Sequence, residues 1–235
     1  MRALLLAGGY GTRLRPLTLT IPKCLVPIHG RPLLDYWLET LDSPKIDGIL
    51  VNTHYKPEAV NEFIAQSRHR KKVTLVHEPS LLGTGGTILA NESFFGGEDF
   101  MVVHADNLSL FRVEDFIQAH KNRPENCLIT MMTFETDSPS TCGIVELDAK
   151  GLVRAFHEKV PNPPGNLANG AVYIFSPEVM TMLKALRKPV IDLSTEILPR
   201  CLGRILTFKN TRYHRDIGSP EALALAESET KNLLT

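Results

Sequence analysis

The chain has 235 residues, 43% of them hydrophobic, which is enough to bury the core of one large α/β domain. Its 26 basic and 26 acidic residues cancel, so nucleic acid is not expected as the main partner. No stretch approaches the roughly 20 apolar residues of a membrane span, and we expect no membrane association. Four scattered cysteines without zinc-ligand spacing indicate free thiols and a cytoplasmic location.

The first half of the chain alternates between apolar strands and amphipathic helices. We predict strands at 2–7, 49–53, 73–76 and 100–103. Helices are predicted to begin near Arg31, Pro57 and Thr84. This alternation predicts a mostly parallel sheet with helices on both faces.

Beyond residue 106 the alternation ends and short strands dominate. We predict strands at 127–134, 143–147, 152–156, 171–175, 204–209 and 211–216. Short helices are expected near 177–187 and 192–202, a hairpin turn at 148–151, and a last helix capped by Ser219. The pattern predicts one α/β domain of three layers, with a mixed, mostly parallel central sheet and a small added β region.

A glycine-rich loop follows the first strand and carries the strongest functional signal. Gly8, Gly9 and Gly11 let backbone N–H groups approach phosphate oxygens, and Arg13 and Lys23 can neutralise charge at a phosphoryl group. The loop fits neither the dinucleotide fingerprint nor the Walker A pattern. Because ligands bind at the carboxyl ends of parallel strands, this loop predicts a nucleoside triphosphate site there.

The string A-G-G-x-G-T-R-L-x-P-L-T-x-x-x-P-K, from Ala7 to Lys23, resembles the signature of the sugar-1-phosphate nucleotidyltransferases. The resemblance extends through nearly the whole chain and is nearest to the mannose and manno-heptose 1-phosphate guanylyltransferases. It implies a Rossmann-like nucleotidyltransferase fold, with a nucleotide-binding part over about 1–110 and a sugar-phosphate-binding part over about 111–235. We expect no left-handed β-helix domain in this chain.

The resemblance also implies roles for individual residues. Catalysis is expected from Arg13, Lys23, Asp106 and Asp216, and the two aspartates would hold Mg²⁺. Nucleotide binding is expected from Leu6, Ala7, Gly8, Gly9, Gly11, Thr12, Arg13, Lys23, Glu78, Gly83, Thr84 and Asp106. Sugar-phosphate binding is expected from Asn107, Gly143, Glu158, Lys159, Asn169 and Thr195. The family's E-K-P reads Glu158-Lys159-Val160 here, a departure that affects the sugar pocket.

The implied reaction is in-line attack of a sugar 1-phosphate on the α-phosphorus of a nucleoside triphosphate, with pyrophosphate as leaving group. Both reactants are anionic, so charge repulsion is the main obstacle. Mg²⁺ held by carboxylates would offset that charge, and positioning with electrostatics supplies most of the catalysis. No nucleophilic side chain is required.

The prediction of which nucleotide base is bound rests on Glu78. A carboxylate only accepts hydrogen bonds, which suits the adjacent N1–H and N2–H₂ donors of guanine, although an exposed strand-end acid is an alternative interpretation. GTP is therefore preferred, and the resemblance implies manno-heptose 1-phosphate or mannose 1-phosphate as the acceptor. The alternatives are uridylyl transfer to N-acetylmuramic acid 1-phosphate, thymidylyl or uridylyl transfer to glucose 1-phosphate, and a non-catalytic subunit that senses nucleotide sugars. A homo-oligomer is compatible with the sequence.

Overall fold

The computed structural model describes residues 1–234. The strands are β1 (Arg2–Leu6), β2 (Pro27–Ile28), β3 (Arg31–Pro32), β4 (Gly48–Thr53), β5 (Val73–His77), β6 (Phe100–His104), β7 (Asn107–Leu110), β8 (Ile129–Glu135), β9 (Gly143–Leu147), β10 (Val153–Glu158), β11 (Leu167–Phe175), β12 (Ile205–Lys209) and β13 (Tyr213–Asp216). The α-helices are α1 (Leu33–Thr40), α2 (Pro57–Gln66), α3 (Gly83–Ala90), α4 (Glu92–Phe95), α5 (Val113–Lys121), α6 (Glu178–Ala185) and α7 (Pro220–Thr230).

Nine of the described strands form one sheet, in the order β5-β4-β1-β6-β11-β9-β10, with β8 beside β11 and β12 beside β8. β1 pairs in parallel with β4 and β6, and β4 pairs in parallel with β5. β11 joins antiparallel to β6 and β8, and β9 and β10 form an antiparallel hairpin. The predicted α/β fold with a mixed central sheet is confirmed.

Both faces of the sheet are apolar and covered by helices, because successive side chains of a strand point to opposite faces. Ala3 and Leu5 of β1 belong to a core shared with α1, α2 and α5. Leu4 belongs to a second core shared with α3, α4 and α6. The three predicted layers follow from these two cores.

The elements after residue 106 differ in part from the predicted ones. β7 and α5 were not predicted, and β10 continues to Glu158 instead of ending at 156. Residues 193–197 form a π-helical turn and 198–201 a 3₁₀ turn, so the predicted helix at 192–202 is irregular. β7 escaped prediction because four residues are too short for a periodic pattern.

Two local predictions in this half are confirmed. The Asp148 carboxylate accepts the backbone N–H groups of Lys150 and Leu152 inside the β9–β10 turn, at 2.8 and 2.9 Å. The Ser219 hydroxyl accepts the N–H of Ala222 at 3.2 Å and caps α7. Short polar side chains therefore define both boundaries.

A two-stranded ribbon outside the main sheet positions the predicted site. β7 and β13 pair antiparallel, with Asn107 opposite Asp216. The N–H of Ile217 donates to the carbonyl of Asp106 at 3.0 Å. The ribbon thus brings the end of β13 against the loop that follows β6.

The cysteines are free thiols, as predicted: Cys24, Cys127 and Cys201 are buried and Cys142 is partly buried. Burial raises the pKa of Cys24 to about 12 and that of Cys201 to about 11, so both stay protonated at neutral pH. Over residues 1–234, no helix combines the length and apolar character needed to cross a bilayer.

Candidate active site

A cleft of about 240 Å³ opens where the parallel strands β1, β4, β5 and β6 end. Nine of the predicted nucleotide-binding residues line it: Leu6, Ala7, Gly8, Gly9, Lys23, Glu78, Gly83, Thr84 and Asp106. Asn52, Leu81, Thr87 and His104 also line the cleft and were not predicted. Their positions at or just beyond strand ends were the signal that could have identified Asn52 and His104.

The glycine loop is tied to its surroundings by hydrogen bonds. The N–H of Ala7 donates to Oδ1 of the buried Asn52 at 2.7 Å. Gly11 has a φ of 62°, in the left-handed region that favours glycine, and its carbonyl accepts the Thr18 hydroxyl at 2.7 Å. Gly11 and Thr12 lie beyond the cleft lining, where the chain leads to Arg13.

Lys23 and Asp106 line this cleft, and ion pairs bring the other two predicted catalytic residues, Asp216 and Arg13, next to them. Lys23 Nζ lies 2.9 Å from Asp106 Oδ2 and 3.3 Å from Asp216 Oδ1. Arg13 Nη2 lies 3.4 Å from Asp216 Oδ2. The Lys23 side chain is 8% exposed, whereas those of Asp106 and Asp216 are 45% and 51% exposed. The ammonium therefore lies beneath two carboxylates that face solvent.

The charges and burial of this cluster determine its protonation. Partial burial raises the pKa of Asp106, but the Lys23 ammonium outweighs this effect and holds the pKa below its ordinary value. Burial lowers the pKa of the neighbouring His104, whose Nε2 atom is buried without a hydrogen-bond partner. At neutral pH the cleft therefore presents an ionised Asp106 beside a neutral imidazole.

Glu78 is buried in the cleft without a partner for its charge. It is 4% exposed, and neither carboxylate oxygen accepts a hydrogen bond. Its backbone is well held: the N–H donates to the Thr53 carbonyl at 2.8 Å, and the carbonyl lies 2.7 Å from Nδ1 of His54. The interpretation of Glu78 as an exposed strand-end acid is wrong. A buried acceptor without donors is costly, so this carboxylate is suited to receive donors from a ligand.

The second glycine-rich loop, 82–86, packs against a distant segment of the chain. A Cβ at Gly83, whose φ is 72°, would lie 2.5 Å from the Ile191 carbonyl oxygen, and one at Gly86 would lie 2.2 Å from the Pro189 carbonyl oxygen. The N–H of Gly85 donates to the Ile191 carbonyl at 2.8 Å. These glycines are therefore required for close packing as well as for lining the cleft.

Gly86→Ala should destabilise the protein by about 1–3 kcal/mol, because the new methyl group meets backbone rather than a movable side chain. Gly9→Ala is the matched control, since a Cβ at Gly9 would meet nothing within 4 Å. Thermal and denaturant unfolding would measure both. Equal midpoints for wild type and Gly86→Ala would contradict the packing role.

The predicted sugar-phosphate residues lie outside the lining of the nucleotide cleft. Glu158, at the end of β10, is opposite Gly143 of β9, where a Cβ would lie 2.7 Å from Glu158 Oε2. The Lys159 side chain is 66% exposed, with Nζ 3.4 Å from Glu158 Oε1. The pair thus consists of one partly buried acid and one exposed cation.

A buried tyrosine connects this pair to the rest of the site. Tyr173 is fully buried and accepts a hydrogen bond from Asn169 Nδ2 at 2.6 Å. Burial, together with the charges of Glu158 and Asp192, raises the pKa of Tyr173. The His104 ring stands edge-on to Tyr173 with centroids 6.2 Å apart. Tyr173 therefore lies between Asn169, which was predicted on the sugar side, and His104 of the cleft lining.

Asp192 is a residue that the sequence reasoning missed. Its Oδ1 atom accepts both the N–H and the hydroxyl of Thr195, at 2.9 and 3.0 Å. Asp192 thus caps the π-helical turn, and Thr195, predicted to bind sugar phosphate, donates to this cap. The Asp-x-x-Thr spacing is a capping signal that could have identified the pair.

Asn107, also predicted on the sugar side, is buried and serves the fold through two contacts. Its carbonyl accepts the Trp37 indole N–H at 2.8 Å, and its amide donates to the Gly170 carbonyl at 3.4 Å. Its side-chain oxygen has no partner. Asn107 therefore fixes the ribbon that carries Asp216.

Residues 2–232 match the model of the nucleotidyl transferase family, and the chain belongs to this family. It is similar to mannose-1-phosphate guanylyltransferase 1 of Arabidopsis thaliana, with 33% identity over 190 residues, or 78% of this chain and 52% of that protein. It is also 32% identical over 228 residues to the mannose-1-phosphate guanylyltransferase catalytic subunit beta of Xenopus tropicalis, covering 94% of this chain and 62% of that protein. The chain thus spans about half to three fifths of these relatives.

Solved structures share the fold along nearly the whole chain. An apo UDP-glucose pyrophosphorylase gives a TM-score of 0.81 at 22% identity, covering 100% of this chain and 99% of its own. HddC from Yersinia pseudotuberculosis, complexed with GMP-PN, gives 0.78 at 24% identity, covering 97% and 98%. At these identities the likeness establishes the nucleotidyltransferase architecture.

Proposed function

We propose that this protein is a sugar-1-phosphate guanylyltransferase, which transfers the GMP group of GTP to a sugar 1-phosphate and releases pyrophosphate. The observation that carries the proposal is the buried Glu78 carboxylate, which lines the cleft without a hydrogen-bond donor. Membership of the nucleotidyl transferase family and the names of the similar proteins support the reaction class.

Guanine is the base whose hydrogen-bonding edge matches Glu78. Its N1–H and N2–H₂ groups are adjacent donors, and an ionised carboxylate offers two acceptors and no donor. Uracil and thymine present a single N–H between two carbonyl oxygens, so their oxygens would meet the carboxylate. Guanine would therefore supply the missing partners of Glu78, whereas a pyrimidine would leave at least one carboxylate oxygen unpaired.

The cationic residues suit the triphosphate. Lys23 pairs with Asp106 and Asp216, and the largely exposed Arg13, two residues after Gly11, pairs with Asp216. We propose that both bind phosphate oxygens, which stabilises the charge that develops when the sugar phosphate attacks. In that step a bond forms from the attacking oxygen to the α-phosphorus, and the bond to the β-phosphate oxygen breaks.

Asp106 and Asp216 have the chemistry of a Mg²⁺ site. Within residues 1–234 no three His, Cys, Asp or Glu side chains form a metal-binding group. Mg²⁺ is commonly bound through one or two carboxylates together with substrate phosphates and water, which suits two half-exposed aspartates beside one ammonium group. When bound there, Mg²⁺ would neutralise phosphate charge, and we propose these two aspartates as its ligands.

For the acceptor we propose mannose 1-phosphate or manno-heptose 1-phosphate. The similar proteins named for mannose 1-phosphate support this choice. Glu158 would accept hydrogen bonds from sugar hydroxyls, and Lys159, with its exposed side chain, would bind the sugar phosphate. Residues up to about 110 would then bind the nucleotide, and the later residues the sugar phosphate.

A pyrophosphate-release screen tests the proposed function. GTP, UTP, dTTP, ATP and CTP are each combined with Mg²⁺ and mannose, manno-heptose, glucose or N-acetylmuramic acid 1-phosphate. We expect release with GTP and a manno-configured acceptor. Preference for UTP or dTTP would refute the guanine assignment. Binding of a nucleotide sugar without turnover in any combination would instead identify a sensor subunit.

A further inference from the structure

The imidazole of His54 contacts both the glycine loop and the backbone of Glu78. His54 follows β4, and its Nδ1 lies 2.7 Å from the backbone carbonyl oxygen of Glu78. Its Nε2 lies 2.8 Å from the hydroxyl oxygen of Tyr10, in the glycine loop. The Tyr10 and His54 rings meet edge to face, with centroids 5.2 Å apart. His54 thus bridges the triphosphate loop and the residue proposed to contact the base.

The two partners determine which ring nitrogen carries the proton. A backbone carbonyl only accepts, so Nδ1 must donate to Glu78. In the neutral imidazole Nε2 is then an acceptor, and the Tyr10 hydroxyl donates to it. A single tautomer in a single orientation satisfies both hydrogen bonds, so the ring is well suited to hold its two partners at a fixed separation.

Tyr55, the residue after His54, anchors the same glycine loop through Thr18. The Tyr55 hydroxyl donates to the Thr18 carbonyl at 2.9 Å, and the Thr18 hydroxyl donates to the Gly11 carbonyl at 2.7 Å. Thr18 is buried, which makes it a firm support. The His54-Tyr55 pair therefore anchors the glycine loop at two points, Tyr10 and Gly11.

We propose that His54 is a positioning residue with two duties: it sets the position of Glu78 for base recognition, and it holds the triphosphate loop through Tyr10. The Glu78 carboxylate has no hydrogen bond of its own, so its position depends on its backbone. That backbone is held at the N–H by Thr53 and at the carbonyl by His54. The inference rests on the proposed guanylyl transfer.

Inosine triphosphate distinguishes base recognition from loop anchoring. It differs from GTP only by lacking the 2-amino group, which would donate a hydrogen bond to Glu78. The ratio of kcat/KM for GTP to that for inosine triphosphate reports how well Glu78 is placed. His54→Ala removes both hydrogen bonds, so the ratio should fall roughly three- to tenfold and KM for GTP should rise.

Two conservative variants separate the contacts. Tyr10→Phe removes only the bond to the loop, so KM should rise alike for both nucleotides while their ratio stays at the wild-type value. In His54→Asn the side-chain amide can still donate to the Glu78 carbonyl but cannot reach Tyr10. His54→Asn should therefore behave like Tyr10→Phe. Combining the two substitutions should add no further loss, because each removes the same hydrogen bond between Tyr10 and residue 54.

The same comparison can be made without turnover, by measuring the binding of GTP and of inosine triphosphate by calorimetry in the absence of sugar phosphate. Unfolding midpoints of each variant show whether it folds normally. An unchanged ratio in His54→Ala, or an equal fall of the ratio in Tyr10→Phe, would overturn the proposal. A wild-type protein that binds both nucleotides equally would refute a hydrogen bond from the 2-amino group to Glu78, before any His54 variant is compared, whereas the pyrophosphate-release screen tests the guanine assignment separately.

Discussion

Asp106→Asn and Asp216→Asn should each lower kcat/KM for GTP and sugar 1-phosphate by roughly a hundred- to a thousandfold. Each substitution removes a negative charge and an oxygen donor from the pair that faces the cleft above Lys23. The protein should remain folded, since Lys23 keeps one carboxylate in either variant. Initial rates of pyrophosphate release, together with far-UV circular dichroism, would measure both effects.

Asp42→Asn is the matched control for these variants. Asp42 is likewise half exposed and paired with a lysine, Lys72, at 3.0 Å, but this pair is separate from the Lys23 cluster. Its activity should equal that of wild type. Chelation of divalent cations should stop wild-type turnover, and added Mg²⁺ should restore it. Retention of full activity in Asp106→Asn would contradict its proposed role in catalysis and metal binding.

Glu78→Gln should separate stability from activity. The unliganded protein should unfold at a higher temperature, because a buried carboxylate without donors is replaced by a neutral amide. Activity with GTP should fall by roughly a hundredfold, since the amide offers one acceptor and places a donor against a donor of guanine. Thermal unfolding and kcat/KM for each nucleoside triphosphate would record the two opposite changes.

Glu62→Gln, at an exposed position on α2, removes the same charge away from the cleft and should change neither quantity. A rise of UTP activity relative to GTP in Glu78→Gln would further support base reading by this residue. Full GTP activity in Glu78→Gln would contradict it, whatever the change in stability.

The parallel half of the sheet was predictable because its pattern is local. β1, β4, β5 and β6 are short apolar runs followed by turns, and three amphipathic segments separate them. β7 was not predictable, because among the described strands it pairs with β13 alone, which lies far along the chain. The irregular turn at 193–197 likewise begins at Asp192, whose carboxylate accepts the Thr195 N–H, and periodicity did not indicate it.

In the candidate site, too, local features were predictable from the sequence and long-range contacts were not. Lys23 and Arg13 follow the glycine loop closely, so their proximity to it could be inferred from spacing. The burial of Glu78 and its lack of donors could not be inferred, because they depend on the segments packed around it. The second glycine-rich loop was expected only to face a ligand, and its contact with Pro189 and Ile191 required the folded chain.

By itself, the sequence determined the glycine-rich loop, the cations that follow it and the α/β order of the first half of the chain. These features are contiguous, and backbone preferences with short-range periodicity are enough to specify them. Only the tertiary structure decided that Asp216 meets Asp106 through the β7–β13 ribbon, and that Glu78 is buried facing the cleft. Such contacts join segments distant along the chain, and packing and backbone pairing create them only when the whole domain has folded.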